Sequence, residues 1–488
     1  MTTPSVPVSR RDFLRAAVRV GGALVAAASL AGLAACNDVV PLAPGAAPRL
    51  DRATRGRGGY GALVADPGGL PVLIPAGFGL REISRAGAPL AGGRAGRVPN
   101  ALDGMGAFAD GANRVRLVRN HEIRDGARAG SAIGANPYDP TAGAGCTTLV
   151  VDIDPATTTP TVVDEFVSVS GTFVNCAGGI TPWGTWLTCE ETTAGTGSGF
   201  AKKHGYVFEV PANANGEVAA ALPLLAMGRF SHEAVAVDPF LGHVYETEDA
   251  GASDSGFYRF VPNQNGNLAA GGTLQMLVVD GRPGFNTTNR AFTDGGVQTP
   301  SAQLPPFAGL PARWVDVDVA DPDLEGGAPS VFRQGLAKGG ARFARLEGCW
   351  WGDDSVYFNA TSGGAAGAGQ VFQYRPTSAD AGVLTLIFES PSTSVLDAPD
   401  NICVSPRGGL VICEDGGGTQ FLRGLTRTGQ IFDFVRAGSP TSATEFCGAC
   451  FSPDGRILFF NTQGSTSASG TERGGTFAIW GPWAQGAL

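Results

Sequence analysis

One pattern of apolar and polar positions recurs along this chain. A short apolar run reaches a turn built on Pro or Asp with Gly, and a second apolar run follows at once, as in a β-hairpin. Five copies are clear, at Asn175 to Glu191, His232 to Asp249, Glu347 to Thr361, Asp400 to Asp415 and Cys447 to Gln463. A looser sixth runs from Asp103 to Glu122.

Aligned on the turn residues Pro182, Pro239, Asp353, Pro406 and Pro453, the copies share a second feature. Six places before the turn stand Cys176, Glu233, Glu347, Asp400 and Cys447, none of them a hydrocarbon. Eight or nine places after it come Glu190 and Glu191, Glu248, Thr361, Glu414 and Asp415, and Asn461. An antiparallel hairpin places its first and last residues side by side, so each copy gathers polar groups at the end away from its turn. Repeated around a circle, such hairpins predict an all-β fold: a β-propeller of six blades whose innermost strands deliver acids to one central opening. Solvation of strand ends explains one such copy; it gives no reason for five. The Gly-, Pro- and Asn-rich stretch between Asp249 and Arg345 is expected to form a partial blade and a loop insertion over the site.

Composition agrees with many short strands and tight turns, with 73 glycines and 33 prolines among 488 residues and 43% apolar residues. Only 16% of residues are charged and the formal charge is −9, so no basic surface for nucleic acid is expected. The chain has only four histidines, and neither a G-x-S-x-G elbow nor a P-loop, which leaves little for a His-rich zinc site or a Ser-His-Asp triad. Oxygen ligands are plentiful. Glu191, Glu233, Glu248, Glu347, Asp400, Asn401, Glu414 and Asp415 suit hard cations such as calcium, and ferric iron also accepts carboxylates. Like charges forced into one opening repel unless cations neutralise them. Cys176 shares their register and is a candidate thiolate ligand for iron, with an inert buried thiol as the alternative. Arg345, two residues before Glu347 on the same strand face, suits a phosphate oxyanion or a structural counter-charge. Cys447 and Cys450, the sole C-x-x-C, are expected to be a buried pair or a disulfide.

The amino terminus is an address. Arg10 and Arg11 precede an apolar, alanine-rich run from Ala16 to Ala35, the twin-arginine export pattern, and Leu33-Ala34-Ala35-Cys36 has the form of a lipobox. Residues 1–35 are expected to be a signal peptide, Cys36 a lipid anchor, 36–59 a flexible tether and 60–488 the propeller. The protein is then exported and held at the periplasm or cell surface, touching the membrane only through that lipid. Removing 1–35 takes away Arg10, Arg11, Arg15, Arg19 and Asp12, three net positive charges, so −9 becomes −12.

With these residues in hand, the chain resembles the PhoX family of bacterial alkaline phosphatases. The resemblance rests on Arg119 to Glu122, Asn175 to Gly179 with Pro182 to Glu191, Ser231 to Pro239, Glu246 to Phe260, Arg345 to Trp351, Pro399 to Gly416, and the closing Phe446 to Gln463 with Phe477 to Trp483. It implies a calcium and iron cluster in a propeller. Cys176 would bind iron, and Glu191, Glu248, Asp400, Glu414 and Asp415 would be shared between iron and calcium. Arg345 and Glu347 would face the phosphate of a small phosphorylated substrate, with Asn401 as a second substrate contact. A monomer is expected. Two other readings stay open: a calcium-dependent lactonase and a binding propeller braced by metal.

Overall fold

The computed structural model describes residues 58–488 except 252, 295–296, 302 and 439–444. The signal, Cys36 and most of the tether lie outside the described residues. Six inner strands, Leu102–Ala109, Asn175–Ile180, His232–Val237, Leu346–Gly352, Pro399–Val404 and Phe446–Phe451, pack side by side in sequence order, and the last returns to the first. They define blades I to VI of a six-bladed propeller, as the hairpin repeat predicts.

Each inner strand pairs antiparallel with the next strand in sequence and carries its blade outward. The ring is closed by an exchange between the ends of the chain. Gly79–Arg85 comes from before blade I yet forms the outer strand of blade VI, against Arg473–Trp480. The insertion after Asp249 proves to be split. Gly309–Asp316 wedges between Gly272–Val279 and Ala381–Glu389 at the rim, fusing blades III and IV into one nine-stranded sheet. The small hairpin Phe292–Asp294 with Val297–Thr299 is tied to the start of blade IV by Asp294, which accepts from Arg342 and Arg333.

Apolar residues alternate out of both faces of the blades, so the core forms as seams. Met105 and Phe459 meet between VI and I, Val118 and Phe208 between I and II, and Leu187 and Val235 between II and III. Phe257 and Phe358, Val371 and Ile412, and Val411 and Leu458 fill the other three. Most of the thiols belong to these seams; all eight described cysteines are unbridged and buried, Cys447 and Cys450 included. A free thiol packs there as a small hydrophobe.

The inner strands share one irregularity. Each pairing with the second strand slips by a residue soon after its start, a β-bulge at Asp103-Gly104, Cys176-Ala177, Glu233-Ala234, Glu347-Gly348, Asp400-Asn401 and Gly448-Ala449. A bulge turns the side chain of its first residue out of the ladder. Here the first residue turns to the propeller axis, and the small second residues Gly104, Ala177, Ala234, Gly348 and Ala449, with Asn401, close the channel beneath it. Crowding is severe: a Cβ on Gly348 would lie 2.6 Å from the Ile402 nitrogen, and one on Gly448 would lie 2.3 Å from the Asp103 carbonyl oxygen. Gly448 also has φ of 62°, where a side chain is strained. Gly448→Ala is therefore expected to destabilise the fold by about 1–3 kcal/mol from backbone strain alone, read by denaturant unfolding.

Candidate metal centre

Because all six inner strands start at one face, their bulged residues meet there. Sγ of Cys176 lies 3.3 Å from Glu233 Oε1 and 3.6 Å from Asp103 Oδ2. Four sets of ligand atoms fall within 4.8 Å of one another: Asp103, Glu122 and Cys176; Cys176, Glu191 and Glu233; Glu233, Glu347 and Asp400; and Asp103, Glu445 and Cys447. Cys176 joins the first two and Glu233 the second and third, so the sets form one continuous centre. Of the residues expected from sequence, Cys176, Glu191, Glu233, Glu347 and Asp400 are all here.

A hydrogen bond repeated in every blade sets the upper tier. The N–H at the site end of the second strand donates to the carbonyl of the residue just before the inner strand: Glu122 to Ala101, Glu191 to Val174, Asp249 to Ser231, Thr361 to Arg345, Asp415 to Ala398 and Gln463 to Glu445. Successive residues of a strand face opposite ways. When Glu191, Asp249 and Asp415 face the axis, their predecessors Glu190, Glu248 and Glu414 face into their own blades.

That alternation sets Glu248 and Glu414 apart from the other expected ligands. Glu248 Oε2 accepts from the Gly256 N–H at 3.0 Å and from the Tyr258 hydroxyl, and burial lifts its pKa to about 8. Glu414 Oε1 accepts from Arg423 at 2.7 Å and from the Asp397 N–H at 3.1 Å. Neither is among the four gathered sets; each holds a loop of its own blade through one oxygen, and Glu414 Oε2 is buried without a hydrogen-bond partner. Asn401 sits beside Asp400. Its amide donates to Asp400 Oδ1 at 2.6 Å and accepts from the Gly448 N–H at 2.6 Å, so both ends are committed inside the ring. Turn counting also puts Cys447 in the bulged register, where the structure puts Gly448, because blade VI carries one more paired residue before its bulge.

Asp103, Glu122, Asp249, Gln463, Glu445 and Arg124 were not singled out from sequence. Asp103 and Glu122 begin and end the loosest hairpin copy. Gln463 donates to Asp103 Oδ2 at 3.0 Å and Glu122 Oε2 at 2.6 Å. Arg124 reaches Glu122 and, at 2.7 Å, Glu191 Oε2. Across the mouth Arg345 binds Asp249 Oδ2 at 2.7 Å and Glu347 Oε1 at 2.9 Å. Both guanidinium groups remain open to solvent, with 52% and 41% of their side chains exposed. Arg345 has φ of 49°, the left-handed region, and its backbone is pinned by bonds to Gly251 and Thr361. Asp415 is exposed at the rim.

Electrostatically the centre is unbalanced. Burial, then neighbouring carboxylates, raise Asp103, Glu233 and Glu347 well above the carboxylate range. Burial lifts Glu122 to about 8 even with Arg124 beside it, and burial and Asp415 lift Asp400 to about 8. Burial and then Asp103 and Glu233 push the Cys176 thiol up as well. Two buried oxygens aimed into the centre, Asp103 Oδ1 and Glu233 Oε2, have no hydrogen-bond partner. Buried polar atoms without partners are rare in folded proteins. A hard cation satisfies them, and a thiol beside carboxylates adds a ligand for a softer ion, so these residues fit a metal cluster.

A six-bladed propeller with acids and a thiol converging on its axis, and arginines at the mouth, defines a metal-dependent hydrolase of anionic esters. The profile of the family described as alkaline phosphatase PhoX matches residues 58–465, and the chain belongs to that family of metal-dependent phosphate-ester hydrolases. Among solved structures, PhoX of Pseudomonas fluorescens in complex with vanadate, a transition state analogue, is 18% identical, covers 90% of this chain and 99% of its own, and superposes with a TM-score of 0.64. A luciferin-regenerating enzyme (10% identity, 84% and 97% coverage, TM-score 0.42) and the gluconolactonase XC5397 from Xanthomonas campestris (10%, 82% and 98%, 0.36) are more distant. No curated protein matches the chain.

Proposed function

We propose that the axial centre holds calcium and iron and hydrolyses small phosphomonoesters, with Arg124 and Arg345 receiving the phosphoryl group. The observation that carries this reading is the pair of partnerless buried oxygens, Asp103 Oδ1 and Glu233 Oε2, on the two carboxylates whose other oxygens, Oδ2 and Oε1, lie against the Cys176 thiol. Cys176 with Glu191 and Glu233 would hold iron, and the oxygen-rich sets around Asp400 and Glu347 would hold calcium. When bound, such cations neutralise the acids and withdraw charge from phosphoryl oxygens. The chain does the rest. Asp249 and Glu347 orient the Arg345 guanidinium, Glu122 and Glu191 orient that of Arg124, and their free N–H groups would donate to the charge that develops on the equatorial oxygens. The small second residues of the bulges close the channel below, so substrate enters and product leaves by one mouth.

The test is turnover of p-nitrophenyl phosphate together with elemental analysis of the exported protein. Chelation should abolish turnover and calcium should restore it, and Arg345→Ala should lower kcat/KM about 10²–10³-fold. Protein loaded with iron and calcium that turns over no phosphomonoester would refute the reading. We further propose twin-arginine export, lipid attachment at Cys36, and residence at the periplasm or cell surface. The supporting observation is the Arg10-Arg11 pair, the apolar run and Cys36 in that order. Labelling with radioactive palmitate that disappears in Cys36→Ser, with globomycin trapping a longer labelled precursor, tests it.

A further inference from the structure

The chain enters the propeller on the face opposite the metal centre. Inner strands run from the centre to the hairpin turns, and those turns, among them Pro406 to Gly408 and Pro453 to Gly455, form the far face. Gly58 and Gly59 pack on Gln430 and Phe432 at that end of blade V. The Tyr60 hydroxyl donates to the Leu488 carbonyl at 2.8 Å and accepts from the Leu488 N–H at 2.9 Å. Its ring meets Phe78, Phe434 and Trp483 edge-on or tilted. The carboxyl end is sewn to the same face, where Gly409 N–H donates to the Ala487 carbonyl and Trp483 Nε1 to the Arg456 carbonyl at 2.8 Å. Beside this seam lies a groove of about 610 Å³ lined by Arg407, Arg456, Trp480, Pro482 and Asp454. Asp454 pairs with Arg456 at 2.6 Å.

We infer that the protein rests on its membrane by this turn face, with the groove between blades V and VI against lipid headgroup phosphates, so that the metal centre opens away from the bilayer. The inference rests on lipid attachment at Cys36. Residues 37–57 number 21 and lie outside the described residues, and the chain emerges from them at Gly58 on the turn face. The inner strand of blade V, Pro399–Val404, is about 20 Å long, so turning the mouth to the membrane would spend part of those 21 residues on running the height of the blade. Arginine suits phosphate, and tryptophan suits the boundary between water and lipid. Among the described residues no helix is long and apolar enough to cross a membrane.

All eight described cysteines are buried, so an introduced surface cysteine takes a maleimide dye selectively. Ala484→Cys marks the turn face and Gly417→Cys the centre face, where a new side chain meets nothing within 4 Å. Full-length lipidated protein is placed on phosphatidylglycerol vesicles carrying a headgroup quencher. Quenching should be at least threefold stronger at 484 than at 417, and Arg407→Glu with Arg456→Glu should shrink that ratio while turnover of p-nitrophenyl phosphate persists. Equal or reversed quenching on protein that floats with vesicles overturns the orientation alone. Protein that does not float overturns the lipid anchor and the orientation with it.

Discussion

Replacing Glu233 with alanine is expected to lower phosphatase turnover by about 10³-fold or more and to remove metal, while Glu248→Gln keeps turnover within about threefold. Both are buried acids at the site end of blade III. Glu233 belongs to two of the gathered sets and leaves one oxygen without a partner, whereas Glu248 is in none of them and its Oε2 accepts from Gly256 and Tyr258. A factor of 10³ is about 4 kcal/mol of transition-state stabilisation, within reach of a change that dismantles the cluster. The two substitutions should trade places in stability. Glu248→Gln weakens hydrogen bonds that close the loop from Asp249 to Phe257 and should cost about 1–2 kcal/mol. Glu233→Ala removes a buried acid whose ionisation the metal-free fold resists, and should make the metal-free protein more stable than its parent at alkaline pH. Turnover and metal content of the two variants, with unfolding after chelation, decide the matter. Equal loss of activity in both would place Glu248 in the centre.

What the sequence shows and what it hides follow from the hairpin. Alternating apolar runs around a Pro or Asp turn are local, so six blades and the convergence of Cys176, Glu233, Glu347 and Asp400 could be read directly. Counting from a turn cannot register a bulge, and so it puts Cys447 where the structure has Gly448. Nor does it tell which of two adjacent acids faces the axis. Period two, applied from the bulge, selects Asp249 over Glu248 and Asp415 over Glu414. The closing strand Gly79–Arg85 pairs with a strand near the other end of the chain, and Glu445 lies just outside its hairpin copy, so neither had a local mark. Arg119 shows the same limit. It opens the motif Arg119 to Glu122, yet it is fully buried, binding Glu165 at 2.8 Å and Thr476 at 2.7 Å to clasp blade I to blade VI.

Stripping the cations should make stability depend steeply on pH, in a direction fixed by the centre's acids. Asp400 and Glu122 are pushed up to about 8 and Asp415 to about 6, against ordinary values near 4 in an unfolded chain. With pKa raised in the fold, these groups hold protons that the unfolded chain gives up. Their contribution is therefore fully present below about pH 4, and it is lost as the pH climbs through 6 at Asp415 and through 8 at Asp400 and Glu122. Each pKa unit corresponds to about 1.4 kcal/mol, so the two most buried of the three destabilise the cation-free fold by several kcal/mol at pH 9. Asp415 adds less because solvent screens it at the rim. Bound cations stabilise the ionised acids instead, and their binding free energy adds to the folded state alone. The melting temperature of chelated protein is thus expected to fall steadily from pH 5 to pH 9, while that of metal-loaded protein stays nearly level, the gap being widest at the alkaline end. A chelated protein with the same melting temperature at both ends of that range would mean that these acids do not share one desolvated space.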